Sequence, residues 1–566
     1  MKSRVCRTAS SIAIIGLLLA GCSSGSSETA RASVDPGAST GGSPEAPDTT
    51  VTSETNAAPS TDRIAKATTF TYAIQEPVAI DPARVGDVYG AELSVQVFDG
   101  LTDVGDDLSI VPAVASKWAS SADGRTWTFT LRSNWVFTNG RKITAGDFVY
   151  DFARDADPYL ASPVAYQGLP IGGWAKVLEG KPSGKIADTP VSGVKAVGDT
   201  TLEITTTEPF ALLPKILIHP VFSPVPKELL GTEAKEQAFT EQPVGNGPFT
   251  YAEPWQHNKQ ITLVRNDAYT GPGAGRVNRI EARVFASYET AFRDVQGGNL
   301  LASDVPYDQA AQARTEFGDR IVEAPLPVVV YIGYPGATAP FDKLELRRAL
   351  SLAIDREALA LVSNGGTAPL KTFASLSSPF VTSSCPDIAF DPTKAKKLYA
   401  SSGGLPDNKL SFTYPVGGPD EAGIKALTNQ LKENLGLDVT LKPMEFAPFV
   451  EALRGRKVDG LFGLGWQWDY PSAYNFLSPL YESTSADNNV QFKNAEFDDL
   501  MGRVRTAKDE AAGAPFINEA LDLLCREMAA IPTVGSKRIV ATTESVKNLL
   551  VDGLGFIALH RVEVVD

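Results

Sequence analysis

The first 22 residues constrain the fold most, because they decide in which compartment everything after them folds. Lys2, Arg4 and Arg7 make a cationic start, Ile12 to Leu19 an apolar run, and Leu19-Ala20-Gly21-Cys22 a small-residue cleavage site that ends on cysteine. That is the build of a secretory signal. The rest of the chain is therefore expected to fold outside the cytoplasm, where thiols oxidise.

The last four of these residues resemble the bacterial lipobox, in which the cysteine thiol takes a diacylglyceryl group and becomes the first residue of the mature protein. Residues 1–21 are then the lipoprotein signal peptide, and Cys22 is an anchor, not a catalyst. The plainer alternative is an ordinary signal peptide that happens to contain a cysteine. The apolar run is too short to cross a hydrocarbon core of about 30 Å, and no later segment offers some 18 uninterrupted apolar residues. Attachment to the outer face of the cell membrane therefore rests on lipid, and two acyl chains hold a protein stably where one does not.

With 566 residues, 43% hydrophobic and 21% charged, the chain is long enough for two or three domains of about 100 to 200 residues each. The formal net charge is −15, and loss of Lys2, Arg4 and Arg7 makes it three units more negative. Such a surface repels phosphate backbones, which counts against a nucleic-acid partner. Once Cys6 leaves with the signal and Cys22 is acylated, Cys385 and Cys525 remain. Two cysteines in an exported chain read as one disulfide; the competing reading is a buried free thiol at Cys525, which sits in the apolar helical stretch Leu521 to Met528. His219, His257 and His560 are the only histidines and none lies near a cysteine pair, so no metal site is expected.

From Ser23 to about Ala65 the sequence is Ser, Thr, Gly, Pro, Ala and acids, which cannot bury enough surface to fold. Residues 22–65 read as a flexible tether with an average reach of about 35 to 40 Å. Strand and helix signals then mix to the C-terminus. Thr69 to Ala73 alternates, and Trp127 to Leu131 alternates after the Asp123-Gly124 turn; Asn139-Gly140 supplies another turn, and Thr144 with Asp147 reads as a helix N-cap with an acidic first turn. Leu410 to Tyr414, a helix with Ile424, Leu427, Leu431 and Leu435 on one face, and Val439 to Leu441 imply a parallel βαβ unit. Leu346, Ala349, Leu350, Ala353 and Ile354 predict one long helix from Leu344 to about Leu361.

Motifs for catalysis do not survive inspection. Gly21-Cys22-Ser23-Ser24-Gly25 matches a nucleophile elbow but straddles the cleavage site. Gly180 to Lys185 has one spacer too few for a phosphate loop and is followed by Ile186 where a magnesium-binding hydroxyl belongs. Gly271 to Gly275 has no strand-to-helix setting. No catalytic set and no cofactor is expected, so energy for any transport must come from other subunits.

Several stretches together resemble the oligopeptide and dipeptide-binding receptors of ABC transporters, the extracytoplasmic solute-binding family 5. They are Pro112 to Trp118, Trp127 to Arg132, Thr144 to Val149, Asp157-Pro158, His219-Pro220 with Ser223 to Lys227, Gly245-Asn246-Gly247-Pro248-Phe249 and Arg265-Asn266. In the second half, Pro340-Phe341-Asp342, Arg347 to Leu350, Ala353 to Arg356, Gly465-Trp466 with Asp469-Tyr470, and Asn475-Phe476-Leu477 match. The resemblance, which runs from about Thr69 to Leu550, implies an α/β fold: a two-lobed, periplasmic-binding-protein-like (type II) clamp with a small additional domain inserted in the first lobe. It implies lobe one at 66–107, 196–325 and 531–566, the inserted domain at 108–195, and lobe two at 326–530, so that Cys385 and Cys525 both fall in lobe two.

By the same resemblance Asp469, after the Gly-Trp pair, fixes the α-amino group of a peptide ligand. The structural alternative is that Asp469 caps a turn before Tyr470-Pro471. Trp466, Trp468 and Phe446 are expected around side-chain pockets, with Tyr166 reaching across from the first half; aromatics give large, sequence-tolerant contact area. Gly245 to Gly247 either brings backbone to the cleft or is a plain tight turn. The pattern departs at Gly463, where the best-matching receptors carry arginine, and at Val534-Gly535-Ser536, where they carry aromatics. Arg454 and Arg456 are the nearby candidates for a ligand carboxylate. The implied function is a lipid-anchored monomeric receptor that binds peptides between its lobes and delivers them to ABC permease and ATPase subunits. A receptor for another solute, such as an oligosaccharide, and a non-transporting cell-envelope lipoprotein of the same fold are the alternatives.

Overall fold

The computed structural model describes residues 68–187, 189–363, 367–415 and 421–565, except the side chains of residues 421, 446 and 447. The expected signal peptide, the expected lipidation site Cys22 and the expected tether lie outside the described residues. Among the described residues no helix is long and apolar enough to cross a membrane.

Thr69–Ile74 buries Phe70 and Tyr72 and half-buries the threonines between them, the period of a strand. It pairs in parallel with Arg279–Val284 on one side and Ala302–Asp304 on the other. It lies inside a seven-stranded sheet ordered Ile321–Leu326, Ser536–Thr542, Ala302–Asp304, Thr69–Ile74, Arg279–Val284, Gln260–Arg265, Phe249–Tyr251. The second large sheet has five strands, Asp438–Met444, Lys409–Pro415, Leu461–Gln467, Val328–Gly333 and Ile531–Pro532. Its first two strands are parallel and joined by the helix Glu421–Leu435, a βαβ crossover that buries Leu427, Leu431 and Leu435.

A third sheet, Ala115–Ser120, Thr126–Leu131, Thr201–Thr205 and Val194–Ala196, is antiparallel throughout. It packs with the helix Ala145–Asp155, whose start carries a capping box: Asp147 Oδ2 accepts the Thr144 N–H at 2.8 Å. This sheet runs on to Thr205, past residue 195, because Thr201–Thr205 is the strand between Thr126–Leu131 and Val194–Ala196. Similarly, Ile531–Pro532 pairs with Tyr331 and Ile332 in the five-stranded sheet. The chain thus passes from one large sheet to the other at Pro327 and returns over Thr533–Gly535, rather than before residue 531.

The single helix predicted over Leu344 to Leu361 is two, Leu344–Leu352 and Arg356–Val362. Asp355 adopts extended backbone and its carboxylate accepts the Ala358 N–H at 3.0 Å, starting a new helix in place of continuing the old one. The buried Arg356 guanidinium collects carbonyls around the break, among them those of Ser351 at 3.1 Å and Ile388 at 2.6 Å. Cys385 and Cys525 form a disulfide, Cα atoms 5.5 Å apart, that ties the segment after Phe373 to the helix Glu510–Glu527.

Candidate functional site

Leu461–Gln467 is the middle strand of the five-stranded sheet, flanked by Lys409–Pro415 and Val328–Gly333, so its end is delivered from a rigid base. Trp466 and Trp468 leave that end almost fully buried, at 4% and 3% exposure. The Trp468 indole donates to the Gly553 carbonyl at 3.1 Å and stacks on Phe476 with ring centroids 6.0 Å apart. Gln467 Nε2 donates to the Leu554 carbonyl at 2.8 Å. The C-terminal segment of the first unit and the strand end of the second are therefore joined directly beside the site.

Asp469 follows and is held by three hydrogen bonds to neutral partners. Its own N–H donates to Asn475 Oδ1 at 2.8 Å, and Asn475 Nδ2 returns a bond to Asp469 Oδ2 at 3.0 Å. Asn475 Oδ1 also accepts the Trp466 indole at 3.3 Å. From the inserted region, Tyr166 Oη donates to the same Asp469 Oδ2 at 3.0 Å, and Gln167 Nε2 donates to Tyr166 Oη at 3.1 Å. Burial and the nearby Asp469 charge push the Tyr166 phenol far above its usual range, so it stays a donor. Both side-chain bonds fall on Oδ2; among the described residues Oδ1 accepts none, and no cation pairs with Asp469. The turn at Asp469 is thus built by Asn475, and the carboxylate keeps one oxygen for something else.

Asp469 lines a cleft of about 740 Å³, counted with its open mouth, and Oδ1 is not among the fully buried polar atoms that lack a partner. Val85, Val88 and Phe556 wall it from the first large unit, Trp466, Trp468 and Asp469 from the second, and Val164 and Tyr166 from the inserted region. His219 is in the same wall, buried, and burial lowers its pKa although the Asp469 charge works the other way. Beyond Tyr166 lies a second hollow of about 1370 Å³, bounded by Tyr470, Tyr474, Glu482, Asp487 and Arg505. Its charges are matched: Arg505 donates to Glu208 at 2.8 Å and Glu482 at 2.6 Å.

Four of the five expected ligand residues, Asp469, Trp466, Trp468 and Tyr166, therefore converge on one cleft. Phe446 opens the helix Phe446–Arg454, and its side chain lies outside what the structure describes. Arg454 bonds Asp487 at 3.1 Å and Arg456 bonds the Asn488 carbonyl at 2.8 Å, so neither is presented to the cleft as a carboxylate partner. Gly245-Asn246-Gly247 does not reach it. A Cβ at Gly245 would stand 2.0 Å from the Val97 carbonyl, and Asn246 grips Asp99 N and O at 3.0 Å each, so this turn clamps the end of the helix Val88–Val97. Sequence reasoning missed Asn475, Gln167 and His219. Asn475 and His219 stood inside quoted motifs, but only the folded backbone turns their side chains toward Asp469.

Comparison with known proteins agrees with this build. The dipeptide-binding protein DppE of Bacillus subtilis is 28% identical over 502 residues, covering 86% of this chain and 89% of that protein. The periplasmic oligopeptide-binding protein OppA of Escherichia coli is 28% identical over 471 residues, covering 81% of this chain and 85% of its own. The solved structure of the E. coli murein tripeptide binding protein MppA matches with a TM-score of 0.75 at 23% identity, covering 89% of this chain and 99% of that one. This likeness makes the fold a two-lobed type II periplasmic-binding-protein clamp. The family model for bacterial extracellular solute-binding proteins, family 5 Middle, matches residues 109–488, and the chain belongs to that family, whose members are binding proteins and not enzymes.

Proposed function

We propose that this protein is a lipid-anchored extracytoplasmic receptor that closes its two lobes over a peptide and hands it to the permease and ATPase subunits of an ABC importer. The observation that carries the reading is Asp469: a carboxylate in a cleft walled by both lobes, oriented by Tyr166 and Asn475 through Oδ2 alone, with Oδ1 unengaged. Neutral donors orient a carboxylate without cancelling its charge, so the site attracts a cation that can approach Oδ1. A peptide's α-ammonium is such a cation, and a charge-assisted bond of this kind contributes about 1.5 to 3 kcal/mol where water is excluded. The named relatives bind dipeptides and oligopeptides, which supports the same class of cargo here.

Trp466 and Trp468 give the cargo apolar walls, and Phe446 is a further candidate from the helix that begins nearby. Closure is favourable because ligand touches both lobes at once, and the crossings at Pro327 and Thr533–Gly535 are where the chain bends. Cys22 carries the lipid that keeps the receptor at the membrane, and residues 22–65 give it reach.

Calorimetry with free and N-acetylated tri- to pentapeptides tests the amine anchor. Free peptides should bind, acetylated ones should not, and Asp469→Asn should weaken binding about 10- to 100-fold. Equal affinity for both forms, or an unchanged Asp469→Asn variant, removes the role given to Asp469. An oligosaccharide recovered by mass spectrometry from gently purified protein would move the cargo to another class. Cys22→Ala should shift the protein from the membrane fraction to the medium.

A further inference from the structure

His219 stands between the Ile216 turn and the short helix Pro220–Phe222, in the wall of the cleft that holds Asp469. The residue is 8% exposed. Nδ1 accepts the Val221 N–H at 3.2 Å, so that nitrogen has no proton and the neutral ring must carry its hydrogen on Nε2. Protonating Nδ1 would set two N–H groups against each other, and the surrounding apolar packing opposes charge as well. The ring is thus fixed as a neutral donor, and among the described residues Nε2 has no hydrogen-bond partner. Nε2 is not among the fully buried polar atoms that lack a partner, so in a residue that lines the cleft this N–H is open to what enters it.

Two complementary groups therefore face one space: an anionic acceptor at Asp469 Oδ1 and a neutral donor at His219 Nε2. Most other side-chain polar groups in the wall are engaged, Gln467 Oε1 being an acceptor without a hydrogen bond among the described residues. Asp87 spends its carboxylate on the N–H groups of Val78, Tyr89 and Gly90, the last at 2.8 Å. Gln467 and Trp468 donate to the C-terminal segment, and Tyr166 donates to Asp469. A ligand that satisfies both open groups must carry a cation and, a short distance away, an acceptor oxygen. The amino end of a peptide is built this way, its ammonium separated from the first carbonyl oxygen by a two-carbon link.

Resting on the peptide reading of this cleft, we infer that His219 is a specificity-determining residue whose Nε2–H donates to the carbonyl oxygen of the ligand's first residue while Asp469 holds its ammonium. The pair then selects a free amino terminus followed by a normal peptide bond and disfavours simple amines.

The test is a cycle with two ligands and three proteins. One ligand is a tripeptide that binds the wild type; the other replaces its first peptide bond by an (E)-alkene isostere, which keeps the shape and removes the carbonyl oxygen. Wild type should prefer the normal tripeptide, and His219→Leu should lose about five- to tenfold of that preference. His219→Gln, whose amide can still donate, should recover part of it. Thermal unfolding checks that His219→Leu is folded, and the wild-type ratio needs no variant. An alkene isostere that binds the wild type as tightly as the peptide overturns the inference, and so does an equal preference in wild type and His219→Leu. Failure of the peptide reading itself looks different: no tripeptide binds, or Asp469→Asn has no effect.

Discussion

Asp81 and Asp469 are both gripped by side chains brought from distant parts of the chain, yet by opposite chemistry. Asp81 is fully buried and meets the Arg154 guanidinium in a bidentate pair at 2.9 and 2.5 Å, while Arg154 also serves Glu236 at 2.6 Å. Its charge is offset inside the body by Arg154, with Arg84 at 3.5 Å. Asp469 is only partly buried and is held by a phenol and an amide. Its direction is set and its charge is left over. The difference separates a carboxylate that holds the fold together from one poised to take a ligand: what matters is whether the partner carries a charge, since both have partners.

The largest expected effect breaks the first half of the comparison. Arg154→Met leaves Glu236 buried without a cation and Asp81 with only the longer Arg84 contact at 3.5 Å, and should destabilise the protein by about 3 to 5 kcal/mol in urea unfolding. A loss below about 1 kcal/mol would mean that the pair contributes little and that Asp81 differs less from Asp469 than its geometry indicates.

Asp552 sharpens the comparison as a third case, a partly buried carboxylate with no ion-pair partner among the described residues. Its Oδ1 accepts the N–H groups of Leu554 at 2.9 Å and Phe556 at 3.0 Å, shaping the turn that supplies both residues to the cleft. Burial pushes its pKa from 3.8 up to about 7. The folded protein therefore holds a proton that the unfolded chain releases, and stability falls as pH rises between those values, by roughly 1.4 kcal/mol per pH unit. Asp552→Asn does not titrate. Its stability relative to wild type should climb between about pH 4 and pH 7 and level off above. Urea midpoints of both proteins across that range check this, and a difference that does not change with pH rejects it.

Smaller effects concern orientation. Tyr166→Phe removes one of the two side-chain donors on Asp469 Oδ2 and should weaken peptide affinity several-fold, at about 0.5 to 1.5 kcal/mol. Smallest of all, Asp469→Asn should change the unfolding free energy by less than about 1 kcal/mol, since the amide oxygen still accepts from Tyr166 and Asn475. A large loss there would make Asp469 a structural residue like Asp81.

Much of the local build was legible. The Thr144 and Asp147 spacing predicts a capped helix start, and a capping box is found; the apolar spacing of Leu427, Leu431 and Leu435 marks the crossover helix, and its strands are parallel. The helix expected from Leu344 to Leu361 failed at Asp355 because apolar spacing continues across the break while the cap depends on one side chain and on where Arg356 finds its carbonyls. In the site, the Gly-Trp motif pointed to Asp469 and its tryptophans. His219 was quoted only as a motif residue, because its tautomer depends on the Val221 N–H, which only the fold aims at its ring.

The sequence by itself determined the periodic elements, many of their caps and the family resemblance, since each depends on neighbours within a turn or a strand or on motifs in order along the chain. Tertiary structure alone decided which charges are cancelled and which stay open. Tyr166 and Asp469 stand 303 residues apart and meet at 3.0 Å. Electrostatics depends on distance through space, and only the folded chain supplies that distance.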